Sequence, residues 1–307
     1  MQFHLKSILL YLTVVLLPIS CTSKKSDKEQ NQYDWNTGSV VIVADSNLSY
    51  VLEQLIPIYE NFYPAAKVSF KYTSEDIAIS DFKNKKNTII AIEKSLTADE
   101  ITVAAHNQDA KILENTFAYD AIAVIANKSF KDSVFVVENT VSYLTKATAS
   151  KLVFDNSKSG IARAIMQLSK TDPSLFKNAY SLNSVSDVLK YVSNNANAIG
   201  FIPYNLLSNR NEKEAQAIRA NFKFLSVSYR DTITAISQES IAQQQYPLVR
   251  PISIYIGNCP DLAGQGFTNF LFKQQISKAL LLSGLVPKNI PAREVNVTDE
   301  FNPEKTK

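Results

Sequence analysis

The chain has 307 residues, 45% of them hydrophobic and 20% charged, which suffices for a large core and for two lobes. A formal net charge of +3 spread along the chain argues against a nucleic-acid partner. The 7 glycines form neither G-x-G-x-x-G nor the phosphate loop of nucleotide hydrolases, and the 2 histidines, His4 and His106, poorly support a histidine-rich metal site or a serine–histidine–aspartate triad.

The first residues read as a targeting element. After Lys6, residues 8–19 are apolar apart from Thr13 and Pro18, a stretch too short to span a bilayer comfortably and laid out like a secretory signal over 1–20. It ends Leu17-Pro18-Ile19-Ser20-Cys21. A small residue directly before cysteine resembles the lipobox of bacterial lipoproteins, with Pro18 a departure from its usual leucine. The resemblance implies lipidation at Cys21, and more than one acyl chain gives stable membrane anchoring. Residues 21–37 carry almost no apolar side chain and read as a disordered tether. Cys259 then stands alone in the body, so no internal disulfide is expected.

Residues 39–44 (Ser-Val-Val-Ile-Val-Ala) form a near-continuous apolar run, the pattern of a strand buried on both faces in a parallel α/β sheet. Asp45, Ser46 and Asn47 cap a helix with apolar residues at helical spacing from Leu48 to Phe62, ended by Pro64. A strand at 68–72 and a short helix or turn at 77–82 precede a buried strand at 88–92, which runs into Glu93-Lys94-Ser95-Leu96. Thr97 and Glu100 make a capping box for the next helix. His106 lies in the polar run His-Asn-Gln-Asp and reads as a solvated surface residue.

Residues 117–127 form a long apolar strand interrupted by Asp120, the expected place for the chain to pass between lobes. A short helix at 141–144 leads to Leu152-Val153-Phe154, a polar loop, and an amphipathic helix bearing Ile161, Ile165, Met166 and Leu168. Ser157, Ser159 and the amides near Gly160 stand at that helix start, where unpaired N–H groups suit an anion. An ordinary N-cap is the competing reading. A helix at 184–193 follows, then a strand at 197–204 with Gly200 inside it, a position that often marks close approach of backbone or ligand. A surface helix at 213–220, one strand at 222–227, a return crossing at 246–256 bracketed by Pro247 and Pro251, and helices at 265–271 and 276–282 complete the body. Strand–helix alternation with two crossing strands predicts two α/β lobes around a cleft, with ligand loops beyond strand carboxyl ends.

In order and spacing, these segments resemble the phosphate-binding proteins of bacterial ABC importers, specifically their short lipoprotein relatives. The residues that carry the likeness are the strand-loop-helix at 40–63, Glu93-Lys94-Ser95-Leu96-Thr97 after a strand, Tyr119-Asp120-Ala121-Ile122, Ser159-Gly160 at a helix start, Asn197-Ala198-Ile199-Gly200-Phe201, Tyr246-Pro247-Leu248-Val249-Arg250-Pro251 and Gly284-Leu285-Val286-Pro287. The likeness implies a two-lobed periplasmic binding protein of type II, hinged around its solute. The expected boundaries are 38–118 with 246–295 for one lobe, 119–245 for the other, and a tail at 296–307. The expected ligand set is Ser46, Asn47, Lys94, Ser95, Asp120, Asn156, Ser157, Ser159, Gly160 and Arg163, with no metal and no cofactor.

The anion loop departs from the family pattern. Ser159-Gly160 match, but Ile161 replaces a threonine and Asp155 an arginine, which removes a charge-assisted bond of about 1.5–3 kcal/mol and puts a carboxylate beside the anion position. Lys94 and Arg163 are the replacement cations, though a lysine is not a bidentate arginine. Each candidate also has a structural reading: a turn and cap for Asp155 and Asn156, a solvated loop lysine for Lys94, an inter-lobe bond for Asp120, a paired surface residue for Arg163. The function expected is capture of phosphate or another oxyanion by a lipid-anchored, extracytoplasmic protein serving an ABC permease. The alternative is an interaction or scaffold protein that kept the fold with an altered pocket, or one that binds a different ligand. No nucleophile–base pair or metal spacing supports an enzyme.

Overall fold

The run of Val and Ile after Gly38 makes β1 (Gly38–Asp45), whose inward residues Ile42 and Ala44 are fully buried. In the computed structural model, residues 36–146, 150–156, 159–208, 212–259 and 261–290 are described. The expected signal peptide, Cys21, most of the tether, Ser157 and the C-terminal tail lie outside them. After β1 come α1 (Ser49–Phe62), β2 (Ala66–Thr73), α2 (Glu75–Lys83), β3 (Ile89–Ile92), α3 (Ala98–Gln108) and β4 (Leu113–Asn127). They are followed by β5 (Val134–Val136), α4 (Thr140–Thr145), β6 (Lys151–Phe154), α5 (Gly160–Leu168), β7 (Tyr180–Ser181), α6 (Val185–Asn194) and β8 (Ala198–Pro203). Then come α7 (Asn205–Ser208), α8 (Lys213–Asn221), β9 (Phe222–Phe224), β10 (Ser226–Tyr229), β11 (Thr232–Thr234) and α9 (Gln238–Ala242). The last are β12 (Val249–Ile256), α10 (Leu262–Phe270), α11 (Gln274–Leu282) and β13 (Val286–Pro287).

One ten-stranded sheet runs β2-β1-β3-β12-β4-β8-β6-β7, with β13 and β9 also on β4. β1 is parallel to β2 and β3, while β12 is antiparallel to both β3 and β4. The passage between lobes is built into β4. Its first part, Leu113 to Ala121, pairs with β12, and its second, Ile122 to Ala126, pairs with β8. The two-lobed architecture expected from the alternation of strands and helices is therefore present, with β4 as the shared strand. At the return, Leu248 O accepts from Ile122 N at 3.0 Å and the Tyr246 hydroxyl donates to Ile122 O at 2.8 Å.

Each lobe has its own core. In the first, Tyr59 packs edge-on against Phe267 and Phe270 at 5.2 and 5.1 Å between ring centroids, under helices α1 and α10. A smaller cluster on the other face of that sheet joins Phe82, Ile90 and Tyr255. In the second lobe, Phe154 and Phe201 stack at 4.7 Å with Phe135 against the edge of Phe201. The fully buried strands explain why their sequences read as continuous apolar runs.

One expectation changes and two are sharpened. The strand expected at 222–227 is two strands: β9 joins β4 and β10 joins a separate three-stranded sheet with β5 and β11, because buried Leu225 turns the chain between them. Gly200 does not face a ligand. A Cβ there would meet Val192 at 2.7 Å and Val188 at 3.0 Å, so the glycine lets α6 lie directly on β8. The Gly284-Leu285-Val286-Pro287 stop also does more than end α11: Gly284 takes φ 75°, and the chain returns to pair β13 with β4.

The close helix–strand approach makes Gly200→Ala a test of packing. Overpacking of this kind costs about 1–3 kcal/mol. Urea unfolding should show the midpoint falling with the slope unchanged, whereas an unaltered midpoint would mean α6 is free to move outward.

Candidate functional site

The loops after β1, β3 and β6 converge on the cleft, as a sheet of this kind requires. Asp45 ends β1, and its carboxylate accepts from Asn47 N at 3.0 Å. A single 3-10 turn at 46–48 then leads into α1. After β3, Glu93 is buried, and Thr97 with Glu100 forms the expected capping box at α3. After β6, the Ser159 hydroxyl caps α5 by accepting from Ala162 N at 3.2 Å. Asp120 and Arg250 come from the middle of the sheet, opposite one another in the β4–β12 register.

Among the described residues, the buried carboxylates are Asp45, Glu75, Glu93, Asp120 and Asp155, and the buried base is Arg250, 3% exposed. Arg250 Nη1 lies 2.7 Å from Glu93 Oε2, and Nη2 lies 3.8 Å from Asp120 Oδ2. These are charge contacts: none of the three guanidinium nitrogens makes a well-directed hydrogen bond among the described residues, and neither does either Glu93 oxygen. Asn205, at the start of α7, donates to Asp120 Oδ2 at 2.8 Å. Burial is the main cause that pushes Glu93, Asp120 and Asp155 above the usual carboxylate range, against the pull of Arg250.

Among the described residues, three sets of contacts cross the cleft. Asn47 Nδ2 donates to Asp155 Oδ2 at 3.2 Å. Arg163 on α5 ion-pairs with Glu75 and, at 2.7 Å, with Asp76 on α2. The Tyr50 hydroxyl on α1 donates to Glu212. Gly160 leaves room at the second of these, because a Cβ there would press on the Glu75 carboxylate, which would have to shift.

These contacts divide the expected ligand residues between two chambers. Ser46, Asn47, Asn156 and Ser159, with Asp45 and Asp155, line a cavity of about 320 Å³. Lys94, Ser95, Gly160 and Arg163, with Glu93 and Arg250, line another of about 560 Å³. Asp120 is fully buried beside Arg250, and Ser157 lies outside the described residues. The two expected cations are already engaged. Lys94 Nζ is 2.9 Å from Glu100, and Arg163 holds α2, so it is paired as its structural reading had it, but across the lobes rather than on the surface. Sequence reading passed over Arg250, Glu93, Glu75, Asp45 and Asn205. For Arg250, Glu93 and Asp45 the available signal was a charge set inside, or at the end of, an apolar strand, where it must be buried and therefore partnered.

Among these groups, Asp45 gives a pH test. Burial pushes its carboxyl from an ordinary 3.8 up to about 6, and its Oδ2 has no hydrogen-bond partner among the described residues. The folded state thus holds this proton more tightly than the unfolded chain does. The advantage is complete below about pH 4 and is lost as pH rises through about 6, a difference of about 3 kcal/mol at most. Asp45→Asn removes the titration and keeps an acceptor for Asn47 N. The variant should be more stable than the parent at pH 7.5, by about 1–3 kcal/mol, with the gain shrinking towards pH 4 in urea unfolding. An equal gain at both pH values would refute the assignment.

The model of the PBP superfamily domain matches residues 31–275. No curated protein matches the chain in sequence. Solved structures with a similar fold include one described as a phosphate ABC transporter substrate-binding protein with bound phosphate from Clostridium perfringens: 16% identity, 82% of this chain, 100% of that chain, TM-score 0.67. An ABC-type phosphate transport receptor from Vibrio cholerae is 20% identical over 80% of this chain and 99% of its own, with TM-score 0.61. The fold extends to regulators: a variant OxyR2 regulatory domain from Vibrio vulnificus is 10% identical, over 80% of this chain and 100% of that one, with TM-score 0.53. With four-fifths of its length under one domain model and the cleft built as described, the chain belongs to the PBP superfamily, the periplasmic binding proteins.

Proposed function

We propose that this protein is an extracytoplasmic solute-binding lipoprotein that captures a small oxyanion, phosphate or a chemical relative of it, for an ABC-type permease. The observation that carries the reading is the Arg250 guanidinium, buried at the junction of the lobes with donors that make no directed hydrogen bond among the described residues. Glu93 and Asp120 balance its charge, but a buried donor with no directed hydrogen bond costs stability, and an oxyanion supplies acceptors for it. Around the larger cavity Ser95 and the amide of Gly160 add neutral donors, with Lys94 and Arg163 as flanking charge and Asp120 beside the guanidinium, while Ser46, Asn47, Asn156 and Ser159 line the smaller cavity as a second group of candidates and Ser157 is a further candidate from the sequence. Carboxyls that burial holds above their usual range repel an anion less than fully ionised ones would. The bound phosphate of the Clostridium perfringens structure supports the same ligand class.

In this reading residues 1–20 are the signal, Cys21 is lipidated, and 21–37 tether the body. One lobe comprises 38–118 and 246–295, the other 119–245, with the tail at 296–307. No helix among the described residues is long and apolar enough to cross a membrane. The second reading is an interaction or scaffold protein, or a binder of another ligand, with an altered pocket. It is favoured by Asp155, whose carboxylate takes the amide of Asn47 and so engages both lobes by itself.

A thermal-shift series on ligand-stripped protein separates the two. An oxyanion present at 100 times its Kd should raise stability by about 2.7 kcal/mol. Absence of any shift with phosphate, sulfate or small organic anions would leave the second reading. For the anchor, Cys21→Ser should move the protein from the membrane to the soluble fraction of expressing bacteria. An unchanged distribution would rule out lipidation at that residue.

A further inference from the structure

The contacts that cross the cleft are unequal. Asn47 meets Asp155, and Tyr50 meets Glu212, each through one neutral donor. Arg163 instead sets a guanidinium against two acids of the opposite lobe. It lies in the first turn of α5, which packs on β8, while its partners Glu75 and Asp76 open α2, which packs on β1 and β3. The Glu75 side chain is fully buried, that of Arg163 is 20% exposed and that of Asp76 is 48% exposed. Glu75 Oε1 accepts from Glu93 N at 3.2 Å, within its own lobe, which leaves Oε2 to face Arg163 as a charge contact. Arg163 Nη1 donates to Asp76 Oδ1 at 2.7 Å.

We infer that Arg163, Glu75 and Asp76 form a latch that holds the cleft shut with the chain's own charges. A buried carboxylate stripped of its counter-ion is far more costly than an exposed one. When the lobes part, the guanidinium leaves with α5, while Glu75 stays tied to the Glu93 amide and cannot turn fully into water. Opening therefore strands a charge that closing satisfies. Asp76, half in solvent, adds a weaker tie that salt screens. A solute is then not needed to bring the lobes together, and its entry waits for the latch to release. The latch works the same way whichever solute the cleft takes, so its test is independent of the oxyanion reading.

The test is the distance between the lobes in ligand-stripped, full-length protein, measured by electron–electron double resonance between two spin labels. Asp99 on α3 and Gln167 on α5 are exposed residues of opposite lobes. Asp99→Cys and Gln167→Cys carry the labels, while Cys21→Ser and Cys259→Ser remove the 2 native thiols. Loss of the buried pair in Arg163→Gln should raise the ratio of long to short distances about tenfold or more. Asp76→Asn, a surface change that leaves the core intact, should raise it about two- to fivefold. Glu75→Gln keeps an acceptor for Glu93 N and should add little once Arg163→Gln is present. Lys170→Gln removes an exposed charge just beyond α5, outside the latch, and should leave the ratio unchanged. An unaltered ratio in Arg163→Gln, or in Asp76→Asn should the first variant fail to fold, would overturn the latch. So would an equal rise in Lys170→Gln, or a further rise of the same size when Glu75→Gln is added.

Discussion

Arg250 is the group that lets so much acid sit inside this protein. Five buried carboxylates among the described residues lie at the ends of β1 and β3, the start of α2, the middle of β4 and the loop after β6, and isolated buried charges of that kind are not tolerated in a folded domain. The guanidinium, fixed on β12 between β3 and β4, lies against Glu93 and Asp120 and lowers the cost of ionising Asp45 and Asp155 as well. Burial holds Asp45, Glu93, Asp120 and Asp155 above their usual range, and the protons they keep more tightly lower the remaining cost. A buried ion pair of this sort is weak evidence for stability as such. The arrangement is better understood as a site kept polar for a purpose.

That purpose has to be reached through a cleft the protein already bridges with its own groups. Arg163 reaches from α5 to Glu75 and Asp76, and Asn47 reaches to Asp155. Where the sequence resemblance puts an arginine there is an aspartate, and that aspartate draws a donor from the opposite lobe. The same fold serves a transport receptor and a regulatory domain, so the fold alone does not choose between capture and contact. The choice rests on the chemistry of the two chambers.

Much of the fold was legible because its signals are local. The apolar runs before Asp45 and Glu93, the Thr97–Glu100 box and the Ser159 cap each lie within a few residues of what they organise. The site was only half legible, since its contacts are long-range. Glu75 reads as the first residue of an ordinary helix, yet it accepts from Glu93 N and pairs with Arg163. Arg250 sits in Leu-Val-Arg-Pro-Ile, where the prolines suggest a strand entry and nothing local names Glu93 as its partner. The same distance explains Lys94 and Arg163: both were seen as cations near the cleft, but the acids that occupy them, Glu100 and the Glu75–Asp76 pair, decide what each can do. Gly200 was recognised as a close approach, while the partner proved to be α6.

The shared strand has a consequence for how the molecule folds and comes apart. β4 lends its first half to the ladder of one lobe and its second half to the other, changing partner between Ala121 and Ile122. Neither lobe owns a complete sheet. Melting one would strip the other of a ladder partner along the shared strand and open its core edge to water. The lobes are thus thermodynamically coupled into a single cooperative unit. Opening of the cleft proceeds by bending one continuous strand rather than by parting two independent bodies.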